Sequence, residues 1–396
     1  MASGREVVVL SGVRTAIGDY GGGLKDVAPT ELSAQVIREA VKRSKVDARE
    51  VGACVIGNVI HTEVKDMYFS RVAALKGGLP EDSTALTVNR LCGSGMQAIV
   101  SASQMIALGD TDVAVGGGAE SMSRGAYIMP TLRWRQRMSD GAVIDMMVGA
   151  LTDPFDTVHM GITAENIAEK WKISREQQDE FSAESHRRAI NAIEKGYFKD
   201  QILPIELKTR KGTTVFDRDE HPRADASVEG LAKLRAAFKK DGSVTAGNAS
   251  GINDGAAAVV LMERAAAEKK GLKPMARLVS YGIAGVDPKI MGIGPVPAST
   301  RALAKAGLKI EQMDVVESNE AFAVQALAVT CDLKLDPRKT NPNGGAVGLG
   351  HPIGATGAIL TVKALYELQR SGGKYALVTM CIGGGQGIAA VFERLH

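Results

Sequence analysis

An internal repeat constrains the fold of this 396-residue chain more than any other feature of its sequence. In the first half, apolar runs and helical patterns alternate, with strands predicted at 6–12, 51–59, 84–90 and 112–118 and helices at 31–44 and 95–109. The second half passes through a similar order, with strands predicted at 275–282, at 314–318 and twice within 375–393, and helices at 299–307 and 352–371. The two orders superpose at an offset of about 260 to 270 residues, which is typical of duplicated units. The pattern predicts a duplicated α/β core with right-handed crossovers and a mostly parallel sheet.

The overlay also pairs short motifs of the two halves. GACVIGN falls on DVVESNE, the helix start at CGSG falls on the one at HPIGATG, and VAVGGG falls on VTMCIGGG. Residue identity in the overlay is low, so the shared order of elements is what indicates the duplication.

The segment between the halves follows a different pattern. It contains a long polar helical stretch that begins with Ser174 and Gln177 in capping-box spacing, and a basic, methionine-rich run, TLRWRQRMSDGAVIDMM. It is too long for a connection, so we predict an inserted loop domain that serves as a lid or binding face; an elaborated surface without a role is the alternative. The predicted units are 1–118, 119–273 and 274–396, and part of the middle unit returns to the first core.

Charge and cysteine usage exclude several classes of protein. The 48 Lys and Arg residues interleave with 45 Asp and Glu residues for a net charge of +3, which does not favour a nucleic-acid partner. The start MASGREVVVLSG has no signal-peptide pattern, and no apolar stretch reaches about 18 residues, so we expect a cytoplasmic protein without a membrane partner. The four cysteines form no CxxC pair, which argues against zinc and disulfides and predicts free thiols.

Cys92 follows a predicted strand and directly precedes the small residues Gly93, Ser94 and Gly95 at a helix start. Unpaired N–H groups and the helix dipole favour an anion there, which predicts a thiolate of lowered pKa. The alternative is a buried cysteine that acts as a small hydrophobe.

His351 lies in a glycine-rich turn, NPNGGAVGLGHPIGATG, at another predicted helix start. A lone histidine is more often structural than catalytic. The overlay, however, sets His351 at the corner equivalent to that of Cys92, and two such corners facing each other would form the Cys/His pair of an activated nucleophile.

Three further segments carry candidate chemistry. Cys381 ends a buried strand before three glycines whose amides could face an oxyanion, although such a run also suits a hairpin. Asn319 in ESNEAFAVQA is either a helix N-cap or an amide aimed into a cleft. The small-residue loop at 245–262 either accommodates a long thin ligand or is an ordinary turn. No nucleotide-binding loop pattern occurs in a fitting context.

Taken together, these motifs closely resemble the thiolase family, specifically the acetyl-CoA C-acetyltransferases and the related 3-ketoacyl-CoA thiolases. The likeness covers essentially the whole chain and includes, in family order, NRLCGSGMQA, GGGAESMS, HMGITAEN, NASGINDGAAAVV, SNEAFA, NGGAVGLGHPIGATG and CIGGGQG. It implies a five-layered α/β/α/β/α fold of two duplicated halves with an inserted loop domain, assembled as a homotetramer of paired dimers.

The resemblance also implies catalytic roles. Cys92 would take the acyl group, His351 would activate it, and Cys381 would remove and return the α-proton. One oxyanion hole would be formed by His351 and a water held on Asn319, and the other by the amides of Cys92 and Gly383. Sulfur attacks and leaves readily, and an enolate needs a nearby base and fixed donors, so these residue types fit a Claisen condensation.

The implied substrates are acetyl-CoA, acetoacetyl-CoA and free CoA, with no tightly bound cofactor and no metal. The reaction would be the reversible condensation of two acetyl-CoA, or the thiolytic cleavage of short 3-ketoacyl-CoA. The family pattern assigns CoA contacts to Leu151, His159, Met160, Arg223, Phe238, Ala246, Ser250, Ala321 and Phe322. Arg223 and Phe238 lie in a more variable stretch than the others.

Three alternatives remain within the same fold. A β-ketoacyl synthase would carry a second histidine where this chain has Asn319 and would lack Cys381, whereas a non-catalytic CoA or lipid carrier would lose a member of the catalytic set. A degradative thiolase of broader chain length is the third alternative, since Met160 and Met291 would line an adaptable acyl pocket. Cys331 receives no role.

Overall fold

The computed structural model describes residues 4–134, 136–209 and 212–396. Its strands are β1 (Val7–Thr15), β2 (Gly18–Asp19), β3 (Ala53–Gly57), β4 (Thr84–Val88), β5 (Val113–Ser121), β6 (Tyr127–Ile128), β7 (Ile144–Asp145), β8 (Ile202–Leu203), β9 (Ile205–Thr209), β10 (Gly212–Phe216), β11 (Asn253–Glu263), β12 (Ala276–Gly285), β13 (Val315–Ser318), β14 (Tyr375–Ile382) and β15 (Gln386–Arg394). Residues 1–3 of the first predicted unit and Arg135 of the basic run lie outside the described residues.

The α-helices are α1 (Pro29–Ser44), α2 (Phe69–Lys76), α3 (Ser94–Leu108), α4 (Met146–Ala150), α5 (Met160–Trp171), α6 (Arg175–Glu194), α7 (Val228–Leu231), α8 (Arg264–Lys269), α9 (Pro295–Ala306), α10 (Ala323–Leu333), α11 (Ala346–Leu349) and α12 (Ile353–Ser371). Short 3₁₀ turns lie at Ala48–Glu50, Val64–Tyr68, Met122–Arg124, Leu132–Trp134, Pro288–Ile293 and Ile310–Gln312. The strands and helices predicted in both halves are therefore confirmed, with boundaries that shift by a few residues.

The described strands of the core follow one path in the order β13-β14-β15-β12-β1-β11-β5-β3-β4. β12 and β1 join the two halves through a short antiparallel pairing, Val8 with Arg277 and Val9 with Ala276. The two halves repeat one strand order. In the first half it is β4-β3-β5-β11-β1; in the second half a bridge at Thr340 takes the place of β4, and β13, β14, β15 and β12 follow in the same order.

The prediction of a mostly parallel sheet is wrong, because the sheet is mixed. Parallel pairing joins β3 to β4 and β5, and β13 to β14. β11 runs antiparallel to both β1 and β5, and β15 runs antiparallel to both β12 and β14. The last strand of each half is thus inserted antiparallel between two earlier strands, which periodicity along the chain does not reveal.

Five layers result from this path. α1 and α2 contact the strands of the first half, α9 contacts those of the second half, and α3 and α12 pack together between them. At the crossing of α3 and α12 the backbones approach so closely that a Cβ at Gly95 would lie 2.7 Å from the Ala358 nitrogen, and a Cβ at Gly357 would overlap Met96. Glycine at this crossing brings the first turns of both helices to one place.

The middle segment supplies both core strands and surface elements. β11 completes the first half, whereas α5, α6 and the β9–β10 hairpin lie outside the core sheet. The predicted capping box is confirmed at the start of α6. The Ser174 side chain accepts the Gln177 backbone N–H, and the Gln177 side chain accepts the Ser174 backbone N–H. The boundaries 119–273 remain a prediction.

One described window, Leu91–Leu108, has the length and mean hydropathy of a membrane-crossing helix. This corrects the expectation that no apolar stretch reaches that length. The window spans α3, and 61% of it is buried inside the fold, as in the core helix of a globular domain.

Candidate active site

Cys92 lies at the corner between β4 and α3. The preceding residue, Leu91, has a φ of +45°, in the left-handed region that leucine rarely adopts. Gly93 is the N-cap of α3 and supplies no side-chain hydrogen bond. The strained corner thus presents a partly buried thiol at an uncapped helix start.

The predicted lowering of the Cys92 pKa is wrong. Burial raises the pKa of this thiol to about 11, and the charge of Glu120 acts in the same direction. The backbone N–H groups of Gly383 and of Cys92 itself favour the thiolate, but they do not outweigh desolvation. Cys92 therefore rests as a thiol and needs a base to become a nucleophile.

His351 lies just before α12, and its environment leaves a ring nitrogen free to accept a proton. Its Nδ1 is 2.7 Å from the Thr356 hydroxyl, which donates its own proton to the Pro352 carbonyl at 2.9 Å. The hydroxyl must then accept from Nδ1–H, which leaves the lone pair on Nε2. Burial lowers the pKa of His351 to about 4, so the imidazole is neutral and can accept a proton at pH 7.

Two asparagines hold the His351 corner. Asn319 Nδ2 lies 3.4 Å from His351 Nε2, and Asn253 Oδ1 accepts the His351 backbone N–H at 2.8 Å. Asn319 is fully buried, and Phe322 rather than Asn319 is the N-cap of α10. Of the two interpretations of Asn319, the structure favours an amide aimed at the imidazole.

Cys381 lies at the end of β14 and is fully buried. Burial raises the pKa of its thiol, and the nearby Cys92 raises it further. The chain then turns through Gly384 and Gly385, both of positive φ, into β15. The turn brings the Gly383 amide to the sulfur of Cys92.

A cavity of about 370 Å³ opens onto Cys92 and His351. It is lined by eight of the nine predicted CoA contacts together with Gly383: Leu151, His159, Met160, Phe238, Ala246, Ser250, Ala321 and Phe322. Met291, predicted for the acyl pocket, lines it too. Asn319 and Cys381, both fully buried, do not line this cavity.

Aromatic rings shape one wall of this cavity. His159 and Phe238 stack with ring centroids 4.6 Å apart, and Phe322 meets Phe238 edge-on at 6.2 Å. His159 caps α5 by accepting the Gly161 N–H at its Nδ1, and burial lowers the pKa of His159. A neutral, flat wall of this kind suits an apolar chain lying along it.

Arg223, the ninth predicted contact, lies outside this cavity. It lines a neighbouring one of about 320 Å³ with His186, His221 and Asp225. Its backbone N–H donates to His186 Nδ1 at 3.2 Å. Both cavities share Ala246 and Ala249, so Arg223 adds a positive charge next to the aromatic wall.

Sequence reasoning missed three residues of the site: Thr356, Asn253 and Glu120. Thr356 lies within a recognised motif, one turn into the helix that follows His351, and this spacing was the available signal. Asn253 and Glu120 also lie within recognised motifs, NASGINDGAAAVV and GGGAESMS, but their contacts with the site come from β11 and β5 across long sequence separations that no local spacing reveals.

Within the described residues, no group of three or more His, Cys, Asp or Glu side chains could hold a metal ion, and the four cysteines are free.

Comparison with known proteins decides the family. Residues 7–265 match the family model of the thiolase N-terminal domain, and residues 272–394 match that of the thiolase C-terminal domain. The chain belongs to the thiolase family.

Relatives of this thiolase match over nearly their whole length. Beta-ketothiolase BktB of Cupriavidus necator is 66% identical and covers 99% of this chain and 100% of its own, and an acetyl-CoA acetyltransferase of Syntrophomonas wolfei is 49% identical with the same coverage. The human mitochondrial 3-ketoacyl-CoA thiolase in complex with CoA superposes with a TM-score of 0.97 at 46% identity, with 100% of both chains covered. The predicted thiolase fold and acyltransferase class are thus confirmed.

Proposed function

We propose that this thiolase condenses two acetyl-CoA molecules into acetoacetyl-CoA and CoA, and catalyses the reverse thiolysis, through an acyl group carried on Cys92. The observation that carries the proposal is the cavity that joins the Cys92 thiol, the neutral His351 imidazole and the aromatic wall. The names of its relatives, acetyl-CoA acetyltransferase and beta-ketothiolase, agree with this reaction.

In the first half-reaction, His351 Nε2 takes the Cys92 proton and the sulfur attacks the thioester carbonyl. The N–H groups of Cys92 and Gly383, which reach the sulfur, stabilise the oxyanion. The C–S bond to CoA then breaks, and the leaving sulfur takes a proton from Cys381. This leaves acyl-Cys92, an imidazolium and a Cys381 thiolate.

In the second half-reaction, Cys381 takes the α-proton of a second acetyl-CoA. Its raised pKa makes the thiolate a strong base. The resulting enolate is stabilised by the His351 imidazolium and by a water held on Asn319, and it attacks the acyl carbonyl on Cys92. The Cys92 sulfur leaves and regains its proton from His351, so every group returns to its starting state.

Binding of the CoA moiety would use both neighbouring cavities. The pantetheine chain would lie against Phe238 and Phe322 beside Ser250, where small residues leave room. Arg223 would meet the phosphates in the adjoining cavity. CoA thioesters would then bind and dissociate as substrates and not remain as a tightly bound cofactor.

A broader acyl range is the second candidate function. A cavity of about 690 Å³ adjoins the first and shares Ala150, Met160 and Gly383 with it. Its other lining residues include Ile60, Met67 and Ile128, so it suits an apolar acyl tail. Thiolysis rates with 3-ketoacyl-CoA of four, six and eight carbons would distinguish the two: activity confined to the four-carbon substrate excludes the broader range.

The central experiment is to incubate the protein with acetyl-CoA, map the adduct by peptide mass spectrometry, and assay CoA-dependent cleavage of acetoacetyl-CoA in the same preparation. An acetyl group on Cys92 together with cleavage supports the proposal. A folded protein with neither adduct nor cleavage contradicts it and favours the carrier alternative.

We also propose the homotetramer that the family resemblance implies, in the cytoplasm and without a nucleic-acid partner. Large apolar side chains are exposed near the edge strand β4 and around β6 and β7, including Tyr68, Tyr127, Trp134, Met138 and Phe155. Contiguous exposed apolar surface favours association. Light scattering of the purified protein would give the mass of one chain if the proposal is wrong.

A further inference from the structure

Glu120 is a fully buried carboxylate that the proposed reaction does not use. It lies near the end of β5, and its two oxygens accept four hydrogen bonds. Oε2 accepts from the backbone N–H of Gly354 at 2.9 Å and of Val59 at 3.1 Å. Oε1 accepts from the Ile60 N–H at 3.1 Å and from Asn58 Nδ2 at 3.2 Å. In the described chain, no Lys or Arg forms an ion pair with Glu120.

These hydrogen bonds connect three segments that surround the Cys92 thiol: the end of β5, residues 58–60 and the first turn of α12. Ile60, Met122 and Ile353 form a small buried cluster against which Cys92 packs. Ile60 donates to Glu120 directly, and Ile353 adjoins the donor Gly354. The carboxylate therefore fixes the backbone of the residues that form the walls around the sulfur.

The charge of Glu120 also acts on the thiol. Burial raises the pKa of Glu120 to about 8, against the lowering effect of the N–H donors, and Asp254 on β11 raises it further. The Glu120 carboxylate in turn raises the pKa of Cys92. The remaining titratable groups nearby are Cys381, which faces Cys92, and His351, three residues before Gly354.

We propose that Glu120 is a positioning residue of the thiolase reaction: its carboxyl group holds residues 58–60 and the start of α12 around Cys92, and where it is ionised it disfavours a second negative charge on the Cys92 sulfur. This inference rests on the proposed role of Cys92 as nucleophile.

The test compares Glu120→Gln with Asn58→Ala. Glutamine keeps the shape but removes the charge, and it puts an NH₂ donor where two N–H groups now donate. Asn58→Ala removes one of the four hydrogen bonds and keeps the charge. The readouts are the pH profile of Cys92 alkylation by iodoacetamide, followed by peptide mass spectrometry, and kcat and KM for acetoacetyl-CoA thiolysis.

For Glu120→Gln we expect the alkylation midpoint to move to lower pH by about one unit, since a neighbouring like charge is lost. We expect kcat to fall by about ten- to a hundredfold with little change in KM, because the walls around the sulfur are displaced. For Asn58→Ala we expect a smaller fall in kcat and an unchanged midpoint. A lower midpoint in Glu120→Gln beside an unchanged midpoint in Asn58→Ala separates loss of the charge from loss of packing.

An unchanged midpoint in folded Glu120→Gln overturns the inference, as does an unchanged kcat. If this variant does not fold, Glu120→Asp replaces it: a shorter side chain with the same charge should lower kcat at a wild-type midpoint, and wild-type kcat would overturn the positioning role. Failure of the proposed function would be seen differently, because the wild-type protein itself would then form no acyl adduct on Cys92.

Discussion

The two helix starts at the centre of the fold occupy equivalent places in the two halves and present different chemistry. Cys92 precedes α3 by the same step with which His351 precedes α12. Ala53 pairs with Ala114 in the first half as Val315 pairs with Ala376 in the second, so Glu120 corresponds to Ile382. Glu120 reaches the start of α12, and Ile382 lies against Gly93 at the start of α3.

The difference shows how a duplicated fold divides the work of a site. The α12 corner carries the base, and a carboxylate and two asparagine side chains hold its surroundings. At the α3 corner an isoleucine stands where that carboxylate would be, and the thiol lies beside N–H groups. The α12 corner is thus fixed by side-chain hydrogen bonds, whereas the α3 corner presents the thiol beside backbone N–H groups.

The largest effect expected is that of removing the thiol. Cys92→Ala should lower kcat for acetoacetyl-CoA thiolysis by at least about 10⁴-fold, because no other group at the α3 corner can carry the acyl group. Cys54→Ala is the matched control: Cys54 is buried in β3 away from the cavity, with its pKa raised to about 12 by burial. If both variants lose the same fraction of kcat at equal helicity, the assignment of Cys92 as the acyl carrier is contradicted.

Cys381→Ala should separate the two half-reactions. We expect condensation to fall by about 10³-fold, since no base remains for the α-proton. Acetyl-Cys92 should still form, more slowly, because a CoA thiolate can leave without a proton donor. Quenched-flow mass spectrometry of the adduct, run beside a steady-state assay, measures both, and parallel losses in the two half-reactions would contradict the assignment.

The contrast between Glu120 and Ile382 predicts how stability depends on pH. The pKa of Glu120 is raised from 4.5 to about 8, so the folded protein binds a proton there that the unfolded chain has already lost. The free energy of unfolding should therefore fall as pH rises, by up to about 2 kcal/mol between pH 6.5 and 8 from this group. His351 and His186, both lowered to about 4, act in the opposite direction only below pH 6.5.

Calorimetric Tm values at pH 6.5 and 8.0 check this prediction. The wild type should melt at the higher temperature at pH 6.5, and Glu120→Gln should narrow the difference. A wild-type Tm that rises toward pH 8 would contradict this prediction.

The smallest effect expected concerns the tautomer of His351. Thr356→Val removes the acceptor for Nδ1–H, and a hydrogen bond of about 1 kcal/mol corresponds to a loss of roughly fivefold in kcat. Thr361→Val is the control, because Thr361 is equally buried on α12 but bonds only the Gly357 carbonyl. If both variants lose activity equally, Thr356 acts through helix stability and not through the imidazole.

Much of this molecule could be predicted from its sequence, because the elements are strongly periodic and the duplication repeats their order. The overlay alone predicted that Cys92 and His351 lie at facing corners, and both residues line one cavity. Two predictions failed for physical reasons: β11 and β15 insert antiparallel without any local signal, and the pKa of Cys92 follows desolvation, which no motif encodes. Glu120 and Asn253 escaped notice because they act across long sequence separations.

Helix α12, which begins beside His351, lies almost wholly within the interior, in contact with strands of both halves. A fluctuation that exposes the backbone of α12 must therefore separate the two halves and disrupt most of the core. Its amide protons should exchange with deuterium only through global unfolding, at the slowest rates in the chain. The reacting groups thus share the lifetime of the whole fold, and substrate access depends on the cavity mouth instead of on opening of the core.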